Sequence, residues 1–134
     1  LMQIMQLNIP DAFAESEAKD FEHYLEQELE DYFVIEIDRK LAGGGGVNYF
    51  PEERSARISW DMLHPEYHKK GFGKQLTIHR INHIKNNPSI SEIIVRTSQQ
   101  AFQFYEKLGF ILFRTKQDFW AKGYDLYEMR LQLL

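Results

Sequence analysis

The sequence predicts an α+β (mixed α/β) domain in which helices precede an antiparallel meander, followed by a crossover helix and further strands. Three observations carry this prediction. Residues 57–63, RISWDML, alternate polar and apolar side chains, as a half-buried strand does. A glycine-bearing turn follows, and then residues 74–85 place Leu76, Ile78, Ile81 and Ile84 at roughly helical spacing. A second unit repeats the pattern: a short apolar strand at 93–95, then a helix that Gly109 ends.

In chain order, residues 1–8 read as an amphipathic helix and Ile9-Pro10-Asp11 as a turn. A second helix spans about 16–30, with Phe21, Leu25 and Leu29 on one stripe and its acidic residues on a solvated face. Residues 32–37 form a strand, Asp38-Arg39-Lys40 a hairpin turn, and 41–49 the partner strand. Four glycines, 43–46, interrupt that partner; with no helix after them, they mark a bulge or the close approach of a neighbouring group. Residues 51–54 turn into the 57–63 strand. Thr97 or Ser98 caps the later helix. Residues 111–116 and 124–133 close the sheet as an antiparallel pair, with 117–123 as the loop between them.

Length and composition narrow the classes. The 134 residues make one domain, 1–134, with 43% hydrophobic and 14% aromatic residues to fill a single core. With no cysteine, a disulfide framework, a thiolate nucleophile and a Cys-type zinc site are excluded; this fits a reducing, cytoplasmic setting. No apolar run approaches the ~20 residues that cross a membrane, so no membrane partner is expected. A net charge of −4 argues against a nucleic-acid partner and favours a cationic acceptor by long-range attraction.

The richest segment is residues 64–76, HPEYHKKGFGKQL. It joins a strand end to a helix start, where unpartnered N–H groups and the helix dipole attract anions. Gly71 and Gly73 let a phosphate approach the backbone, and Lys69, Lys70 and Lys74 add positive charge. The plainer alternative is a turn that merely needs glycine, with solvated lysines. No Gly-Lys-Ser/Thr closes a Walker loop, and the third glycine of a dinucleotide fingerprint is missing.

Together with residues 93–110, IIVRTSQQAFQFYEKLGF, this segment resembles the GNAT acetyltransferase superfamily. The first segment is similar to that family's pyrophosphate loop, Gln/Arg-x-x-Gly-x-Gly/Ala. The second matches its Ala-x-x-x-Tyr-x-x-x-Gly-Phe helix at Ala101, Tyr105, Gly109 and Phe110. The likeness covers the chain from about Tyr32 onward. It departs at two positions: His68 stands for the Gln/Arg, giving a ring N–H whose charge depends on pH, and Ser98 stands for an Asn that touches the pantetheine arm. Because the family has a strand before its first helix, the resemblance implies that the opening strand is missing from this sequence.

The resemblance implies a central mixed, mostly antiparallel sheet, splayed to admit acetyl-CoA. It implies transfer of the acetyl group from acetyl-CoA to a primary amine acceptor by direct attack, with no metal. Cofactor-binding positions are then Met62, Leu63, His68, Lys69, Lys70, Gly71, Phe72, Gly73, Lys74, Ser98, Ala101 and Tyr105. The backbone of residues 61–63 polarises the thioester, and the Tyr105 hydroxyl lies near the cofactor sulfur as proton donor. The glutamate base of some members falls near Arg57, which cannot serve. Asp61 is the replacement base, on the same strand face as Arg57 by alternation; substrate-cation binding, a purely local bond, Glu36, or water remain alternatives. His79 and His83, spaced i,i+4, read as exposed helix histidines rather than metal ligands. Phe119, Trp120 and Tyr124 are candidates for an acceptor pocket or a cover of the sheet end. A homodimer remains a candidate assembly. The rival readings are a sensor or subunit module that binds acyl-CoA with weak chemistry, and an enzyme for a longer acyl-CoA.

Overall fold

A computed structural model describes residues 1–9 and 13–133. Two residues of the expected turn, Pro10 and Asp11, lie outside them. The elements are α1 (Met2–Leu7), α2 (Glu17–His23), β1 (Asp31–Ile37), β2 (Lys40–Phe50), β3 (Ser55–Leu63), α3 (Phe72–Lys85), β4 (Glu92–Thr97), α4 (Phe102–Lys107), β5 (Ile111–Ala121) and β6 (Tyr124–Gln132). The second predicted helix does not run on in α geometry: α2 widens after His23 into a π-helical turn, Tyr24–Glu28. The strands form one mixed sheet in the order β1-β2-β3-β4-β6-β5, with only β3 and β4 parallel.

Two cores cover the two faces. On one face Ile58, Ile81, Ile84 and Ile93 are fully or nearly fully buried with Val47, Val95, Tyr105 and Phe110, seating α3 and α4. On the other, Ile4 and Met5 of α1 meet Phe21, Tyr24 and Met62, with Trp60 and Tyr32 against them. Burying a side chain of this size stabilises by roughly 1.5–3 kcal/mol, so these clusters fix where the helix ends stand. The buried stripe of α3 is Leu76, Thr77, Arg80, Ile81 and Ile84; Ile78, expected on it, is exposed.

The glycine run does what its composition suggested. β2 continues through it, with a register break between Gly44 and Gly46. Neighbours occupy the space side chains would need. A Cβ on Gly45 would lie 2.6 Å from the Arg80 guanidinium, one on Gly44 2.5 Å from the Tyr32 ring, and one on Gly46 would meet the Tyr24 hydroxyl. Opposite the break, three steps of β3 (Ser59 to Met62) face two of β2, and Trp60 takes a positive φ of 54°. That is a β-bulge, and it corrects the simple alternation. Ile58 packs toward α3, so Arg57 faces away; Asp61, shifted in phase by the bulge, meets Arg80 of α3 instead of sharing the face of Arg57.

Other boundaries moved for local reasons. Neither Thr97 nor Ser98 caps α4 with its side chain. Thr97 ends β4, and the Ser98 carbonyl accepts from the N–H groups of Ala101 (3.1 Å) and Phe102 (3.0 Å). The expected 117–123 loop is mostly strand. β5 reaches Ala121 across a register break after Lys116, and Asp118 holds the tip by accepting from the Gly123 N–H at 2.7 Å.

Candidate active site

β3 and β4 pair only from Ser55↔Glu92 to Ile58↔Val95. Beyond that point the strands part, and a cavity of about 1130 Å³ opens between them. Its wall includes Asp61, Met62, Leu63, His68, Lys69, Gly73, Ser98, Ala101 and Tyr105. Lys70, Gly71, Phe72 and Lys74 stand outside the wall, and Lys70 and Lys74 are exposed.

The α3 end is built by its turn. Pro65–Tyr67 forms a 3-10 turn, with His64 Nδ1 accepting from the Glu66 N–H at 3.2 Å. Lys69 and Gly71 both have positive φ, 62° and 85°, and Gly71 is the N-cap of α3. Gly71 O accepts from the Gln75 N–H at 3.1 Å. The N–H groups of Phe72, Gly73 and Lys74 therefore head the helix without intrahelical acceptors. His68 Nε2 sits 3.0 Å from Leu63 O, to which it can donate. The same carbonyl accepts from Asn8 Nδ2 at 2.9 Å.

Tyr105 is placed by the end of its helix. The Phe110 N–H bonds Tyr105 O and the Gly109 N–H bonds Glu106 O, both at 3.1 Å, with Gly109 at φ 101°. This is a Schellman motif. It lays the Phe110 ring against the Tyr105 ring, centroids 5.7 Å apart, and so fixes the phenol. The Tyr105 hydroxyl donates to Asp61 Oδ2 at 2.8 Å. Burial, followed by the Asp61 charge, raises the Tyr105 pKa well above the usual phenol value, so the hydroxyl keeps its proton at neutral pH.

Behind Asp61 stands Arg80, fully buried, which the sequence reading passed over. Its Nη1 donates to Asp61 Oδ1 at 2.7 Å and to Gly46 O at 3.1 Å, and its Nη2 pairs with Asp61 Oδ2. Burial alone lowers the guanidinium pKa, but the Asp61 charge and hydrogen bonds outweigh it and raise it. The available signal was a lone basic residue at the i+4 position between Leu76 and Ile84, beside a strand of glycines.

The opposite side of the cavity is lined by Arg57, Arg96, Trp120 and Tyr124. Trp120 Nε1 donates to Thr97 O at 3.1 Å, and the Gln99 amide ties the β5–β6 turn down by donating to Gly123 O at 2.7 Å. His79 and His83 do not reach this cavity. Both pack edge-on against Phe33 at 5.1 Å, and His83 Nε2 lies 3.3 Å from Asp31 Oδ2.

Residues 6–133 match the acetyltransferase (GNAT) domain family. The chain belongs to that family. It is 28% identical over 91 residues to an amino-acid acetyltransferase of Actinobacillus pleuropneumoniae, a stretch covering 68% of this chain and 20% of that protein. A Vibrio cholerae amino-acid acetyltransferase is 30% identical over 83 residues, covering 62% of this chain and 18% of that protein. The chain thus spans about a fifth of the length of the curated relatives it matches. The fold is shared with the ribosomal-protein-S18-alanine N-acetyltransferase of Escherichia coli (TM-score 0.79, 18% identity, 98% of this chain and 84% of that one). It is shared also with an aminoglycoside 6'-N-acetyltransferase complexed with coenzyme A (TM-score 0.77, 13% identity, 100% and 89%).

Proposed function

We propose that the chain transfers an acetyl group from acetyl-CoA to a primary amine by direct attack. The observation that carries this reading is one cavity, opened where β3 and β4 part, with the glycine-capped start of α3 at one end and the Tyr105 hydroxyl within it. The N–H groups of Phe72, Gly73 and Lys74 are the groups for the CoA pyrophosphate, aided by the helix dipole and the nearby lysines. Met62, Leu63, Ser98 and Ala101 flank the pantetheine arm, and the free backbone of β3 polarises the thioester carbonyl.

In the reaction the neutral amine attacks the carbonyl carbon, a C–N bond forms and the C–S bond breaks. Tyr105 supplies the proton for the departing thiolate, turning its O–H from Asp61 to sulfur, and Arg80 offsets the charge left on the phenol. Asp61 is engaged by both Arg80 nitrogens and by Tyr105. That engagement favours a positioning role over proton abstraction, so the amine proton leaves through water, and water returns a proton to the Tyr105 phenolate. The amino-acid acetyltransferases among the relatives make amino acids the first acceptors to try.

The test is thiol release from acetyl-CoA across a panel of amines that includes the amino acids. Release with at least one amine, dependent on the intact Tyr105 hydroxyl, is expected. Tight CoA binding with no release from any amine would overturn the enzymatic reading.

A further inference from the structure

Four arginines rise from the sheet face away from α3. Two have carboxylate partners: Arg114 bonds Glu128 Oε2 through Nε and Nη2, both at 2.7 Å, and Arg130 Nη1 lies 4.0 Å from Glu92 Oε2. Arg57 and Arg96 have neither a hydrogen bond nor an ion pair among the described residues, and the Nε of each is buried. Arg96 stands directly across from Glu128 in the β4–β6 register, yet that carboxylate is turned to Arg114. Glu30, also on the cavity wall, accepts from Asn48 Nδ2 and the Tyr49 N–H.

Both unpaired guanidinium groups are held against rings. Arg57 lies over Phe50 at 4.8 Å, and Arg96 lies over Phe119 at 4.8 Å and Trp120 at 5.9 Å. Stacking fixes a guanidinium while leaving its N–H edge free for a planar oxyanion. The two sit on adjacent strands at the fork. Arg57 belongs to the last paired stretch, and Arg96 follows the last pair, Ile58↔Val95. Burial, and then the Arg57 charge, lowers the Arg96 pKa, and the Glu128 charge offsets only part of this. Two half-buried like charges, neither bonded to a carboxylate, leave a net positive site that an anionic ligand would offset.

Resting on the acetyl-transfer reading above, we propose that Arg57 and Arg96 form a carboxylate site for the acceptor, so that the preferred substrate carries a carboxylate as well as its amine. The fork places that group on the cavity wall opposite α3, in the same space that Tyr105 lines. The local charge thereby reverses what the net charge of −4 suggested about a cationic acceptor.

The experiment uses matched pairs: N-acetyl amino acids and their carboxamides, titrated into the CoA-loaded protein and followed by NMR, which reads millimolar binding. The acids are expected to bind about tenfold or more tightly than the amides, the scale of a charge-assisted contact. Arg57→Gln and Arg96→Gln should each shrink that ratio, while Arg57→Lys restores part of it; unchanged CoA affinity and circular dichroism show that the variants are folded. Equal affinity for acid and amide, or no binding of either, overturns the carboxylate site. Thiol release is measured separately with free amino acids. Acid-selective binding without release from any amine would sink the acetyltransferase reading and leave the carboxylate site standing.

Discussion

Arg80 and the Arg57–Arg96 pair are chemically alike and structurally opposite. Arg80 is fully buried and its donors are answered by Asp61, Gly46, Thr77 and Leu76. Arg57 and Arg96 stand at the same cavity with rings beneath them and no carboxylate bonded to them. A guanidinium whose partners are all internal orders the protein. One whose edge is left open is arranged for something that arrives.

The contrast breaks most sharply at Asp61. Asp61→Ala strips Arg80 of its counter-ion and should cost about 3–5 kcal/mol in chemical denaturation. Replacing both partners with apolar residues, Asp61→Leu with Arg80→Met, should recover much of that loss. Arg57→Gln and Arg96→Gln, which remove no internal partner, should shift stability by only about 0.5 kcal/mol. A loss at Arg57 as large as at Asp61 would erase the distinction.

Next in size is Tyr105→Phe, which keeps the ring against Phe110 and deletes only the hydroxyl that donates to Asp61. Single-turnover acetyl transfer should slow by about a hundredfold, with CoA affinity nearly unchanged. A near-normal rate in the folded variant would make the hydroxyl a packing detail and move the proton source to solvent.

Gly73→Val tests the α3 end. A Cβ there makes only ordinary contacts, 3.5 Å to Leu63 and 3.7 Å to Phe104, so the fold should hold. Calorimetry should show CoA binding weakened by about tenfold or more, the scale of losing charge-assisted N–H contacts. Unchanged affinity would displace the pyrophosphate from this turn.

The last effect is a pH dependence in the alkaline range. Burial pushes the Tyr24 pKa up to about 12 from the ordinary phenol value of 10.0. Because the folded value lies above the unfolded one, the contribution is complete below pH 10 and is lost as pH rises through about 12. Urea denaturation between pH 9 and about 12 should show this decline, and Tyr24→Phe should flatten part of it. An identical slope in that variant would assign the decline to other tyrosines.

The sequence revealed what depends on nearest neighbours along the chain. The Gly71/Gly73 turn, the Tyr105-to-Phe110 spacing and the hairpins are local devices, and each was legible. Asp61 was legible as a polar residue near the site, but its partner was not, because a bulge at Trp60 decides which face it occupies. Arg80 was hidden among helix residues, since its burial depends on Gly45 in another element. The Arg57–Arg96 fork was invisible for the same reason: it exists only once β3 and β4 lie parallel. The last strand pair was misread in extent because residues 117–123, with polar Gln117 and Asp118 and the Lys122-Gly123 turn, look like one loop, although the backbone stays in strand to Ala121.

The glycines of β2 have a consequence for the unfolded chain. Four in succession make that stretch unusually free before folding, and ordering each costs roughly 0.5–1 kcal/mol more than ordering an alanine. Elsewhere, exchanging such a residue for alanine is a dependable route to heat resistance. Here the route is closed at each position by a different neighbour: the Met62 carbonyl and Leu63 at Gly43, Tyr32 at Gly44, Arg80 at Gly45 and Tyr24 at Gly46. This strand therefore retains an entropic weakness that mutation within it cannot remove, and gains in thermal tolerance must come from elsewhere in the molecule.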